Sequence, residues 1–538
     1  MRKRWRWLLR GTVFLLVALA IAGAGIVYLM RPVPERMAEP IRIENGLVQG
    51  IARGDITSYK GIPYAAPPVG PLRWRAPQPV EKWSGTLDTS AFAPACMQEH
   101  NSIPGLAIEN TSEDCLYLNV WTPSDSEGGA LAVMVFLHGG GGTTGSGSQR
   151  LYSGEAFARR NVVFVSINYR LGSFAYLAHP ELTAESANHS SGNYALLDII
   201  AALKWVQNNI EAFGGDPQNV TLFGQSAGAY YASQLVVSPL ARGLFARVIA
   251  QSGGNFGPTG LDGDFPSLAE AEQLGVDFAN ELGAISLAEL RSIPAEEIVM
   301  ADSQARFVHG LSRGLNFPNI DGFVIPKNVY ELYAEGQVHE VDLLVGFNAD
   351  EGANTIGEPL PVNEYITETR NRYGDLADEF LAEYPASSDE EAASSQVRMK
   401  SAATAWRGTV WAQLHNPLQS RTFLYRFSHV PPFQPFSDLN AAGHGAELGY
   451  VFGYPSDTAF FLFLSPLEAY RNVRLARRMQ AYWTNFARTG DPNGWGLPEW
   501  PEFDSVMQLL EIGVSVEQIE IPNREELKLV ERHFGVTK

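Results

Sequence analysis

The stretch Phe213-Gly-Gly-Asp-Pro-Gln-Asn-Val-Thr-Leu-Phe-Gly-Gln-Ser-Ala-Gly228 decides the fold. Its second half, Gly224 to Gly228, is a G-x-S-x-G turn behind a predicted strand, Val220 to Phe223, the setting of a nucleophile elbow in which a strand bends sharply into a helix. A serine hydroxyl is a poor nucleophile at neutral pH. The elbow lifts it clear of the sheet, towards a base and a set of backbone donors, and glycines on both sides leave room for the bend. Ser226 is thereby nominated as a nucleophile. Five residues of this type also arise as an ordinary Gly-Ser turn in a chain with 51 glycines, so the surroundings have to carry the reading.

Those surroundings are short apolar runs at Ala132–Leu137, Val162–Ile167, Val220–Phe223, Arg247–Ala250, Val341–Val345 and Thr422–Phe427. They are mostly unbroken rather than alternating, as in sheets covered on both faces. Leu196, Ile200, Leu203, Val206 and Ile210 recur at three- and four-residue spacing between the second and third runs, which predicts a helix. Strand, helix, strand and elbow in that order predict a parallel α/β arrangement, whose ligands bind beyond the carboxyl ends of the strands.

An activated serine needs a base that takes its proton and returns it to a leaving group, and a carboxylate that fixes the tautomer of that base. Of ten histidines, His444 stands out in Gly443-His-Gly-Ala-Glu-Leu-Gly-Tyr-Val-Phe-Gly453, between small residues on a predicted loop. His309, His415 and His429 lack such a setting and read as structural. Between Ser226 and His444, the run Val341–Val345 leads into Gly346-Phe-Asn-Ala-Asp-Glu-Gly352, which offers Asp350 and Glu351 equally. Charge developing on a carbonyl oxygen needs preorganised backbone donors, which the run His138-Gly-Gly-Gly-Gly142 can supply. That run lacks the Lys-Ser/Thr end of a phosphate-binding loop.

The run around Ser226 resembles the serine signature of the type-B carboxylesterases, the cholinesterase-like family of α/β-hydrolases. Glu113-Asp-Cys-Leu-Tyr-Leu-Asn-Val-Trp121 resembles the family's second signature. The likeness continues through Gly61–Ala65, Pro67–Gly70, Asn168–Leu171, Gln251–Gly253, Asp321–Gly322 and Asn485–Asn493, covering roughly residues 38 to 505. It implies an α/β-hydrolase fold with a large, mostly parallel mixed sheet, helices on both faces and helical insertions. It also implies a serine esterase without cofactor or metal, with Ser226, Glu351 and His444 as triad and the N–H groups of Gly140, Gly141 and Ala227 as oxyanion donors. The two cysteines of the chain, Cys96 and Cys115, match the family's disulfide, and the bond would close a loop worth about 3 kcal/mol in the chain-entropy picture. Neither cysteine sits in a C-x-x-C pair and there is no H-E-x-x-H, which argues against a metal site.

Residues 1–36 stand apart. Arg2, Lys3, Arg4, Arg6 and Arg10 precede an apolar run from Gly11 to Met30, long enough to span a bilayer as one helix. We read it as an uncleaved anchor, with the basic end in the cytoplasm and the rest of the chain in the periplasm or outside the cell. A signal peptide cut after Ala20 or Ala24 is the competing reading. The remainder, 37–538, reads as one domain, because no linker-like stretch divides it. The whole chain carries a net charge of −19 although its first 36 residues are basic, so the exported part sits near about −25. That disfavours nucleic acid as a partner. Oligomeric state is not legible.

The chain also departs from its relatives. Residues 97–114 contain no tryptophan to hold a quaternary ammonium, Gln225 is neutral where cholinesterases are acidic, and Gly142 stands where an aromatic residue is usual. Choline esters are therefore poor candidates, and uncharged, hydrophobic esters are expected. The aromatic stretches Phe423–Phe436 and Phe460–Phe463 are expected to pack in the core rather than line a pocket. A lipase, or an amide or carbamate hydrolase, would use the same machinery. A non-catalytic adhesion protein is disfavoured, because all three triad positions are filled.

Overall fold

The computed structural model describes residues 33–101, 105–125, 130–254, 256, 265–309, 315, 317–354, 358–432, 441–454, 464–504 and 506–534. The apolar run 11–30 and the stretches 433–440 and 455–463 lie outside them. Among the described residues no helix is long and apolar enough to cross a membrane.

The main sheet has twelve strands: β1 (Glu35–Met37), β2 (Ile51–Arg53), β3 (Ile56–Pro63), β4 (Tyr117–Pro123), β5 (Leu131–Leu137), β6 (Val163–Ile167), β7 (Gly215–Gln225), β8 (Arg247–Gln251), β9 (Asp342–Asn348), β10 (Thr422–Phe427), β11 (Gln508–Ile512) and β12 (Val516–Glu520). Their order is β1-β2-β3-β4-β6-β5-β7-β8-β9-β10-β11-β12. From β6 to β11 every neighbouring pair is parallel, and the two margins are antiparallel.

The unbroken apolar runs are the inner strands, and side-chain alternation explains why they need no polar face. In β5, Val133, Val135 and Leu137 point into one core, shared with helices α1 (Tyr194–Asn209), α2 (Ala227–Leu235) and α3 (Asp389–His415). Met134 and Phe136 point into a second core, shared with α4 (Pro466–Thr489) through Met479, Trp483 and Phe486. The predicted helix is α1, although Ile210 falls in the 3₁₀ turn that follows it. The short predicted strand Val220–Phe223 is the centre of the longer β7, whose pairing with β5 shifts register between Leu131 and Val133. Phe423, Tyr425 and Phe427 of β10 are buried in the second core, as expected of that part of the aromatic stretch.

Two local features tie the fold to the site. Asn168-Tyr-Arg-Leu171 follows β6, and the Arg170 guanidinium grips the Asp198 carboxylate of α1 through Nε (2.8 Å) and Nη2 (2.7 Å), both side chains buried. Cys96 and Cys115 form a disulfide, flanked by a two-stranded ladder of Ala95–Cys96 with Thr111–Ser112. The loop it closes is delivered to the carboxyl ends of β5 and β7.

Candidate active site

Ser226 lies between β7 and α2 with φ 54° and ψ −122°, a backbone setting that costs roughly 1–3 kcal/mol for a residue with a side chain and persists only where the surroundings enforce it. They do. Its N–H donates to Gln251 O at 2.9 Å, and its carbonyl accepts from Ala229 and Tyr230. A Cβ on Gly228 would come within 2.1 Å of Leu137 O, and one on Gly224 within 2.5 Å of the Gly228 carbonyl carbon. The glycines of the elbow are thus required by close approach of α2 to β5 and β7.

His444 Nδ1 meets Glu351 Oε2 at 2.6 Å, and Glu351 Oε1 accepts from the Asn348 N–H at 2.7 Å. The Glu351 side chain is 1% exposed and that of His444 24%, so the acid is sealed while the ring keeps an open edge. Asp350 has a different task. Its Oδ2 accepts from the Ala442 N–H and its own N–H donates to Ala442 O, a two-way clamp on the loop that carries His444. Burial alone would lower the pKa of His444, but Glu351, with Glu447 in support, outweighs it and the net shift is upward.

Behind this pair lies a network that the sequence did not reveal. Glu447 is fully buried, accepting from Gln251 Nε2 (2.9 Å) and Asn348 Nδ2 (2.6 Å). Asn348 Nδ2 also donates to Gly443 O, and Trp483 Nε1 donates to Gln251 Oε1. Burial, then the neighbouring Glu351, raises the pKa of Glu447. One strip of hydrogen bonds therefore ties the loop of His444 to β8 and, through the Gln251 backbone, to Ser226.

The glycine run follows β5. Gly140, Gly141 and Gly142 have φ of 114°, 62° and 74°, and a Cβ on Gly140 would lie 2.1 Å from Thr144 O. The base of the loop is pinned by Tyr169, whose hydroxyl donates to His138 O and whose ring stacks on the His138 ring. Burial pulls His138 down to about 4, so this imidazole stays neutral. The far end is pinned by Gln98 from the disulfide loop: its Oε1 accepts from Thr144 Oγ1 (2.7 Å) and the Gly145 N–H (2.8 Å), and its Nε2 donates to Gly145 O. Among the described residues the N–H groups of Gly140, Gly141 and Ala227 have no acceptor, which leaves them available to an anionic oxygen.

These groups line one cavity of about 490 Å³, with Ser226, Glu351, His444, Gly140 and Gly141 among its walls. Leu106, Tyr152 and Leu448 make part of the wall apolar, but α3 contributes Lys400, Thr404 and Arg407. The wall is therefore part apolar and part cationic. Lys400, Thr404 and Arg407 share one face of α3 at helical spacing, a signal present in the sequence once the helix is known. Gln225 also lines the cavity, and its side-chain amide donates to His444 Nε2 at 3.1 Å. His415 and His429 are spent on structure, bonding to Val341 O and Asn472 Oδ1; the side chain of His309 lies outside the described residues.

The geometry can be set beside known proteins. Residues 38–530 match the carboxylesterase family. The chain is 37% identical over 494 residues to the fumonisin B1 esterase of Sphingopyxis macrogoltabida, covering 88% of this chain and 86% of that one. It is 34% identical over 470 residues to the para-nitrobenzyl esterase of Bacillus subtilis (strain 168), covering 86% and 92%. A solved structure of a PNB esterase superposes with a TM-score of 0.77 at 31% identity, over 91% of this chain and 99% of that one.

Proposed function

The chain belongs to the carboxylesterase family and is a carboxylesterase, and we propose that it works by acyl transfer through Ser226, with His444 as base, Glu351 as the carboxylate that holds the imidazole, and the N–H groups of Gly140, Gly141 and Ala227 as oxyanion donors. The observation that carries this reading is the 2.6 Å contact of His444 Nδ1 with sealed Glu351, on a ring that lines the same cavity as the strained Ser226.

In the proposed cycle His444 Nε2 takes the proton of Ser226 Oγ as that oxygen attacks the ester carbonyl carbon. The carbonyl electron pair moves to oxygen, where the three backbone donors stabilise it. Collapse breaks the bond to the alcohol oxygen, which leaves with the proton from His444. Water then repeats the sequence on the acyl-enzyme, His444 taking its proton and returning it to Ser226 Oγ as the acid departs. Gln225 donates to the same nitrogen that must receive the proton, so attack requires its amide to yield that position to Ser226.

Hydrolysis of a p-nitrophenyl ester series of rising acyl length, with Ser226→Ala alongside, tests the reading. Turnover that disappears in the variant is expected; turnover that survives it would remove Ser226 from the mechanism.

We also infer that residues 11–30 anchor the enzyme with its catalytic domain outside the cytoplasm. The basic flank and apolar length support this, and a Cys96–Cys115 disulfide suits an oxidising compartment. Recovery in membranes, released by detergent and not by salt, is expected. A soluble protein beginning at Ile21 or Gly25 would replace the anchor with a cleaved signal.

A further inference from the structure

We propose that Lys400 and Arg407 form a carboxylate-binding subsite inside the catalytic cavity, so that the preferred substrates are esters that also carry a free carboxylate. The inference rests on the serine-esterase reading above and specifies its substrate class.

Both side chains line the cavity that holds Ser226 and His444. Among the described residues neither forms an ion pair or a side-chain hydrogen bond. On the same helix Arg398 is tied to Glu383 and Glu526, and elsewhere Arg73, Arg247, Arg421 and Arg426 each hold a carboxylate. The carboxylate beside Lys400 is that of Glu351, whose two oxygens are already taken by the Asn348 N–H and His444 Nδ1. Arg372, from the helix Val362–Tyr373, adds a third positive charge on the other side of Lys400, in an adjoining cavity of about 450 Å³ that shares Lys400 and Arg407. Desolvation of its ammonium, then the repulsion of Arg407 and Arg372, pull Lys400 down to about 8, with Glu351 acting the other way.

Two neighbouring cations beside an apolar wall repel each other, and a substrate carboxylate would answer both with charge-assisted hydrogen bonds, bidentate in the case of arginine. Leu106, Tyr152 and Leu448 would then take the apolar part of the same molecule. An ester of a dicarboxylic acid, or of a hydroxy acid, has both features, whereas a plain alkyl ester leaves the cations unanswered.

The test compares matched pairs on the full-length enzyme: 4-nitrophenyl hydrogen glutarate against 4-nitrophenyl valerate for a carboxylate on the acyl side, and 4-acetoxybutyrate against butyl acetate for one on the alcohol side. The wild type is expected to favour the anionic member of at least one pair by about tenfold or more in kcat/KM, the scale of one charge-assisted hydrogen bond. Lys400→Gln and Arg407→Gln should each reduce that ratio by a similar factor, with the loss mainly in KM. Arg407→Lys should restore part of it. The ratio is the readout because Lys400 also influences His444, an effect common to both members of a pair. Neutral esters preferred in both pairs, or ratios unmoved by either variant, would overturn the subsite. Neutral esters that are still cleaved, and lost with Ser226→Ala, would leave the esterase reading standing when the subsite falls.

Discussion

The two sides of the cavity are built on opposite terms. Behind His444, Glu351, Asn348, Gln251 and Glu447 are buried and linked by hydrogen bonds. On the α3 side, Lys400 and Arg407 reach into the cavity with no described partner, and Lys400 stays open to solvent. A buried polar network fixes geometry where it is bonded, because any displacement leaves a donor or acceptor stripped of water, although Asn348 Oδ1 has no partner among the described residues. Unanswered charges fix nothing by themselves and wait for a ligand. In the proposed scheme the first side performs the chemistry and the second chooses what enters.

The largest effect should come from breaking the fixed side. Glu351→Gln is expected to lower kcat/KM by about 10³–10⁴, as the loss of a tautomer-fixing carboxylate does elsewhere. Its pH profile sharpens the point. His444 must be neutral to accept a proton, and its pKa in the fold is raised above 6.5, so the acid limb of wild-type kcat/KM should lie above that value. Removing the principal raising charge should move the limb to lower pH, while Glu447 keeps part of the shift. The linked stability runs the other way: whatever the raised pKa contributes is present in full below 6.5 and is lost as pH rises through the folded value. An acid limb that does not move in the variant would show that Glu351 does not face the titrating ring.

Gln98→Leu is the next step down. It keeps the approximate volume but strips Thr144 and Gly145 of their anchors, and a loss of about tenfold to a hundredfold in kcat is expected with KM little changed, because the donors would be misplaced rather than absent. Steady-state kinetics on a neutral ester checks the split; a loss confined to KM would count against an oxyanion role for the loop. The smallest effect is predicted for Gln225→Glu. A carboxylate beside His444 Nε2 favours the imidazolium, so the acid limb should rise, with a modest loss of activity at neutral pH.

How much of this was legible in the chain follows the range of the interactions. The elbow, the glycine run and the loop of His444 are contiguous motifs that the sequence displayed, although distant residues such as Gln251, Tyr169 and Asp350 hold them in place. The choice between Asp350 and Glu351 was not readable from alternation, because both lie past the end of β9 and tertiary contacts with Ala442 and His444 separate them. The marginal strands β1–β3, β11 and β12 are short or antiparallel, with no unbroken apolar run to announce them. Gln98 acts on residues more than forty positions away. Lys400 and Arg407 become meaningful only when α3, anchored by Trp406 and Trp411, presents one face to a cavity lined mainly from other strands and loops. The expectation of uncharged, hydrophobic esters followed from residues 97–114, Gln225 and Gly142, none of which reports the charges that α3 brings to the cavity.

The most direct test of the central claim is to label the enzyme with a fluorophosphonate ester and locate the adduct by mass spectrometry, following residual hydrolysis in the same samples. The account predicts one adduct per chain, on the peptide containing Ser226, with activity falling in proportion and no labelling of Ser226→Ala. Labelling at another residue, or hydrolysis that continues in fully labelled enzyme, would contradict it.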